Sequence, residues 1–190
     1  MEIPARQFLS TAELLKSGLS HYKLNKLVAE GKLVKRSNKL YENTAYEGET
    51  SDLAVASAFI PNGIICMMTA ARYYELTTYL PDSVDVAIER SMKVSTMPDW
   101  PDIHLWYFPK ERYESGVVSI SENNERYRIY NPEKTVADIL YYRNIVGIAE
   151  TKEILRNYLG RESRNLAALH RYAASLGCGK ILSTYLEVLL

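Results

Sequence analysis

Cysteine is nearly missing from this sequence. Cys66 and Cys178 are the only two, they lie far apart, and neither belongs to a Cys-x-x-Cys pair or has histidines beside it. That excludes a disulfide framework and a zinc site and predicts two core or semi-buried thiols in a reducing compartment. Long apolar runs are missing as well: the longest are far shorter than a membrane span. Met1-Glu2-Ile3-Pro4 has neither the basic start nor the apolar stretch of a secretory leader. A soluble cytoplasmic protein without a membrane partner is expected. His21, His104 and His170 are dispersed, no serine has a Gly-x-Ser-x-Gly setting, and no glycine-rich phosphate loop occurs. With these signatures missing, no catalytic residue, metal or cofactor is assigned, and a non-enzymatic role is expected.

Net charge is also zero, with 23 Lys and Arg against 23 Asp and Glu. The balance hides a segmental distribution. Residues 1–40 hold eight basic residues against three acids (+5), residues 51–142 eight against thirteen (−5), and residues 143–180 seven against three (+4). A basic opening segment joined to an acidic middle suits a protein that meets a polyanion with one part only. The 47% hydrophobic and 24% charged composition is that of a globular chain.

Ser10-Thr11-Ala12-Glu13 has the spacing of a capping box and predicts a short helix to about Lys16. Ser17-Gly18 ends it. Ser20 is placed to cap a second helix through Glu30, with Gly31 beyond its end and Leu24, Leu27 and Val28 on its buried face. Leu33-Val34 and Lys39-Leu40-Tyr41 read as two short strands around a polar tip, Arg36-Ser37-Asn38. After a polar linker at 43–50 come a capped helix at Ser51–Phe59, a turn at Pro61-Asn62-Gly63, and a helix at Met67–Leu76. Strands follow at Val84–Ile88, Ile103–Phe108, Val117–Ile120 and Tyr127–Tyr130, the last two joined through Glu122-Asn123-Asn124-Glu125. Asn131-Pro132 starts a helix with Val136, Ile139 and Leu140 on one apolar face; further helices are expected around Ile148–Leu159, Ser163–Leu176 and Lys180–Leu190. The chain thus reads as α+β: an abbreviated winged helix-turn-helix at 1–48, then a mixed α/β domain with a helical C-terminal tail at 49–190.

Helix, tight turn, helix and basic hairpin is the order of a winged helix-turn-helix, whose second helix enters the major groove of double-stranded DNA. On that reading Tyr22, Lys23 and Lys26 face base edges, Ser20 and His21 bring the helix N-terminus to a phosphate, and Lys35, Arg36, Asn38 and Lys39 form the wing. Met1–Leu9 is too short to supply the helix that normally precedes such a pair. A module this small gains specificity by dimerising on half-sites, so two copies on DNA are expected. Arg161, Arg164, Arg171 and Lys180 in the tail form a possible second phosphate patch, against the more ordinary reading of a solvated amphipathic bundle. Asp85, Glu89 and Glu75 invite a nuclease reading, but the acid-x-Lys such a site needs is missing, since Arg90 directly follows Glu89. They are read as surface charges. In the pairs Tyr73-Tyr74 and Tyr141-Tyr142, one ring is expected to pack while the other lies near the surface.

Gly18-Leu19-Ser20, Leu24, Leu27-Val28, Gly31-Lys32-Leu33 and Tyr41 resemble the N-terminal winged helix of the AbiEi-type antitoxins of type IV toxin-antitoxin systems. Met68-Thr69-Ala70-Ala71 with Glu75-Leu76-Thr77 resembles that family's SHxSALxxxGLT segment, with Glu75 in place of the glycine. VDVAIER at 84–90 and NPEKTVADIL at 131–140 resemble its V-x-V-A-V-P-R-like strand and RTLxDLL helix, and Tyr185–Leu190 looks like a family ending. The resemblance implies an autorepressor that binds inverted repeats in its own promoter and antagonises a nucleotidyltransferase-like toxin encoded nearby. The alternative is a protein-interaction module that neutralises such a toxin with a vestigial winged helix.

Overall fold

The computed structural model describes residues 3–122 and 125–189. The turn expected at Asn123-Asn124 lies outside the described residues, as do the two ends, Met1-Glu2 and Leu190.

The opening segment forms β1 (Phe8–Ser10), α1 (Thr11–Lys16), α2 (His21–Ala29), β2 (Leu33–Lys35) and β3 (Leu40–Asn43). Each helix starts where its cap residue requires. Ser10 Oγ accepts from the Glu13 N–H while the Glu13 carboxylate accepts from the Ser10 N–H, which completes the capping box. Ser20 Oγ accepts from the Lys23 N–H at 3.3 Å, and α2 closes on Gly31, whose φ of +72° is cheap only for glycine. β2 and β3 pair as the expected hairpin, with Leu33 opposite Asn43 and Lys35 opposite Tyr41. β1, which no pattern in the sequence marks, lies antiparallel to β3, with Leu9 opposite Tyr41, giving a sheet ordered β1-β3-β2. Leu9, Leu14, Leu19, Leu24, Leu33 and Tyr41 are buried together, with Ile3, Leu27 and Val28 at their margin. The little core is therefore closed by its own leucines and by Ile3.

The rest of the chain forms α3 (Asp52–Phe59), β4 (Ile64–Ile65), α4 (Met67–Tyr73), β5 (Val84–Glu89), β6 (Ile103–Phe108), α5 (Lys110–Glu114), β7 (Val117–Glu122) and β8 (Glu125–Tyr130). Five helices follow: α6 (Pro132–Tyr141), α7 (Arg143–Val146), α8 (Ile148–Leu159), α9 (Leu166–Ser175) and α10 (Gly179–Leu189). The strands make one mixed sheet, β6-β5-β4-β8-β7, parallel at β5–β6 and β4–β8 and antiparallel at β4–β5 and β7–β8. The molecule is α+β. Alternation along β5 puts Val84, Val86 and Ile88 into one cluster with Ala56 and Ile60 around α3, and Ala87 into another with Ile139, Leu140, Leu155 and Leu169. α3 also meets the first sheet, where Phe59 and Phe8 pack edge to face at 5.4 Å. No helix among the described residues is long and apolar enough to cross a membrane.

Three expectations are corrected by packing. The helix expected over 67–76 stops at Tyr73, because Glu75 adopts φ +56°. Asp85 is no surface charge: it is 5% exposed, and its carboxylate accepts from Trp106 Nε1 at 2.8 Å and from the N–H groups of Met68 and Thr69. It caps α4 from a neighbouring strand, where Cys66 at the N-cap makes no side-chain cap. The pattern predicts a single apolar face for α6, yet Lys134 through Leu140 are all buried because α4, α8 and α9 pack around it. Cys66 and Cys178 are both buried free thiols, and burial pushes each thiol pKa upward. Tyr141 is exposed beside a half-buried Tyr142, as expected of a split pair, whereas Tyr73 and Tyr74 are both half-buried.

Candidate nucleic-acid interface

α2 turns Leu24 into the core and leaves His21, Tyr22, Lys23, Asn25 and Lys26 in solvent. Tyr22 is 79% exposed. A phenol so exposed on the first turn of a helix is the most conspicuous side chain on this surface. The helix opens with N–H groups that no preceding turn satisfies, and no acid occupies its first turn, so the positive end of its dipole is not offset there. Lys26 lies 3.8 Å from Glu30, which is shared with Lys32 at 2.8 Å. Lys23 has no ion-pair partner among the described residues.

The hairpin holds Lys35, Arg36, Asn38 and Lys39 together at its tip, but they are not equivalent. Arg36 donates to Glu42 at 2.6 Å and lies 3.5 Å from Asp99, in the loop between β5 and β6. Its charge is therefore compensated, and a phosphate reaching it must compete with two carboxylates. The tip is tied to the start of α1, where the Thr11 N–H donates to the Lys39 carbonyl at 3.0 Å. Lys35, Lys39 and Lys93 line a cleft of about 1270 Å³ between the hairpin, α1 and the loop after β5, and no acidic residue among the described ones lines it. Lys93 was missed by sequence reasoning. Nothing local marks it, because only the chain's return past the hairpin brings it there.

The proposed tail patch is dispersed in its engagements. The Arg161 guanidinium donates to the Tyr74 carbonyl and Arg164 to the Arg161 carbonyl at 2.9 Å, so both hold local structure. Arg171 on α9 and Lys180 on α10 are exposed. Among the described residues no group of three or more His, Cys, Asp or Glu is arranged to hold a metal ion. Compared with known proteins, the chain matches no family model and no curated sequence.

Proposed function

We propose that this chain is a DNA-binding transcriptional regulator, an autorepressing antitoxin of the AbiEi type, whose first fifty residues act as a winged helix without its usual leading helix. The observation that carries the reading is the solvent-facing first turns of α2, where Tyr22, Lys23 and Lys26 stand together beside a lysine-lined hairpin. A sheet ordered β1-β3-β2 with two helices between β1 and β2 supports it, since that order presents helix and hairpin on one module. Glu75 supports the family resemblance: the position where the family's segment carries glycine has a left-handed backbone here. In the mechanism, the lysines neutralise phosphates and release counterions, Tyr22, Lys23 and Lys26 meet base edges in the major groove, and two copies occupy an inverted repeat. Promoter occupancy then excludes polymerase.

The test is a gel shift on the chain's own upstream DNA at two salt concentrations with nonspecific competitor. A specific shift that weakens with salt is expected. The double variant Lys23→Ala/Lys26→Ala should lower affinity and flatten the logarithmic salt slope by about 1–2 units. Unchanged affinity in a folded double variant would remove α2 from the interface. A second reading, capture of a toxin protein, is favoured by the exposed apolar residues Tyr141, Ile145 and Ile148, close together in the chain and 44%, 69% and 43% exposed. Ile145→Asp should abolish toxin neutralisation on that reading and leave it intact on the promoter reading.

A further inference from the structure

A cavity of about 500 Å³ lies between the small sheet and the large one, within the size range of small-molecule sites. Two local features open it. α3 lines it with Ala54, Ser57 and Ala58, small side chains at i, i+3 and i+4. β4 is only two residues long and, among the described residues, pairs with β8 only at Ile65–Ile129, so Arg126–Arg128 have no paired strand on that side.

The charge of the lining is unbalanced. Glu13 is its only acid among the described residues, and Arg6 already pairs with that carboxylate at 2.7 Å. Arg126 is exposed and has no ion pair among the described residues. Arg128 donates to the Tyr113 hydroxyl at 3.1 Å and the Gly63 carbonyl at 3.4 Å, which are neutral acceptors, and it has no ion pair among the described residues. Two guanidinium groups two residues apart on one strand repel each other, and a bound anion relieves that repulsion. Their cross-strand neighbours are Ser121 and Ser119, which also line the cavity and add hydroxyl donors. Phe8 and Tyr46 contribute aromatic side chains to the lining.

We propose that this cavity binds a small phosphate-bearing anion with a flat ring, of mononucleotide size, its phosphate on Arg126 and Arg128 and its ring against the aromatic side chains. The planar guanidinium fork matches phosphate oxygens, and ring stacking discriminates a nucleotide from free phosphate. Binding involves no DNA and stands apart from the promoter reading.

The experiment is isothermal titration of the whole chain, without DNA, against adenosine monophosphate, adenosine and inorganic phosphate. Adenosine monophosphate should bind saturably, and both fragments about tenfold or more weaker. Arg126→Gln removes a surface charge without touching the core, and Ser57→Leu fills the cavity from the opposite wall. Each should weaken the nucleotide about tenfold or more while the circular dichroism spectrum is retained. Absence of saturable nucleotide binding, or nucleotide binding indifferent to both substitutions, overturns the assignment. Phosphate binding as tight as the nucleotide's overturns the ring subsite. A failed titration leaves a promoter gel shift unaffected, so the two readings fail separately.

Discussion

Asp138 is the residue on which the larger core turns. Two cations share its carboxylate: Arg112 at 2.9 Å and Lys134, with side chains 11% exposed for Arg112 and 1% for the other two. The excess positive charge is offset by rings. The Arg112 guanidinium lies 3.9 Å from the centre of Phe108 and 4.6 Å from that of Tyr142, and Lys134 Nζ lies 4.3 Å from that of Tyr130. Burial pushes the Lys134 pKa below the ordinary lysine range, against the pull of Asp138. Removing the shared anion strands both cations, whereas removing one cation leaves a complete pair. Asp138→Ala should therefore cost about 3–5 kcal/mol in urea unfolding, and Lys134→Met about 1 kcal/mol or less. Equal losses would refute the sharing. The i, i+4 spacing of Lys134 and Asp138 was visible in the sequence, but that this face points inward was not, because the partners Arg112 and Phe108 arrive from other elements.

The elements most legible from sequence are those with short-range causes. The capping box at Ser10, the cap at Ser20 and the Asn131-Pro132 helix start each depend on contacts within three residues, and each appears where expected. The box also titrates. Burial pushes the Glu13 carboxyl upward, but the Ser10 N–H and hydroxyl donors and the Arg6 charge outweigh it, leaving the pKa below the ordinary glutamate range. A depressed acid contributes stability that is present above its unfolded pKa and lost as pH falls through the folded one. Acid unfolding of Glu13→Gln should therefore start from a lower stability at neutral pH and fall less steeply below about pH 4 than the parent. Parallel curves would contradict this. α4 ended three residues early for a reason the 3.6-residue pattern does not contain, the left-handed Glu75. Glu75→Gly should raise stability by about 1 kcal/mol by relieving that conformation, and a thermal melt showing a loss would count against it.

At the scale of the whole molecule the described residues build three hydrophobic clusters, one from residues 9–41 and one on each side of the larger sheet, and the two parts of the chain meet where Phe8 packs on Phe59 and where Arg36 reaches Asp99. The second contact bears on function, because Asp99 sets a carboxylate against the hairpin that faces DNA in the proposed mechanism. Asp99→Ala should tighten promoter binding by roughly twofold to fivefold, since it removes a like charge to the phosphates and leaves Glu42 as the one carboxylate competing for Arg36 among the described residues. A fluorescence-anisotropy titration giving weaker or equal binding would show that Arg36 does not reach the DNA.

Causes that act within a turn or a hairpin were decided by residue order alone: caps, glycine stops, the pairing of β2 with β3 and of β7 with β8, and the exposed basic face of α2. Such contacts cost little chain entropy and depend on few neighbours. Long-range packing decided the rest. β1 exists because β3 offers it an edge, Asp85 is buried because α4 lacks a cap of its own, and α6 is enclosed because three helices converge on it. The cleft at Lys93 and the cavity at Arg126 belong to the same class. Each joins residues distant in the chain, and side-chain periodicity records which face an element hides, never which element comes to hide it.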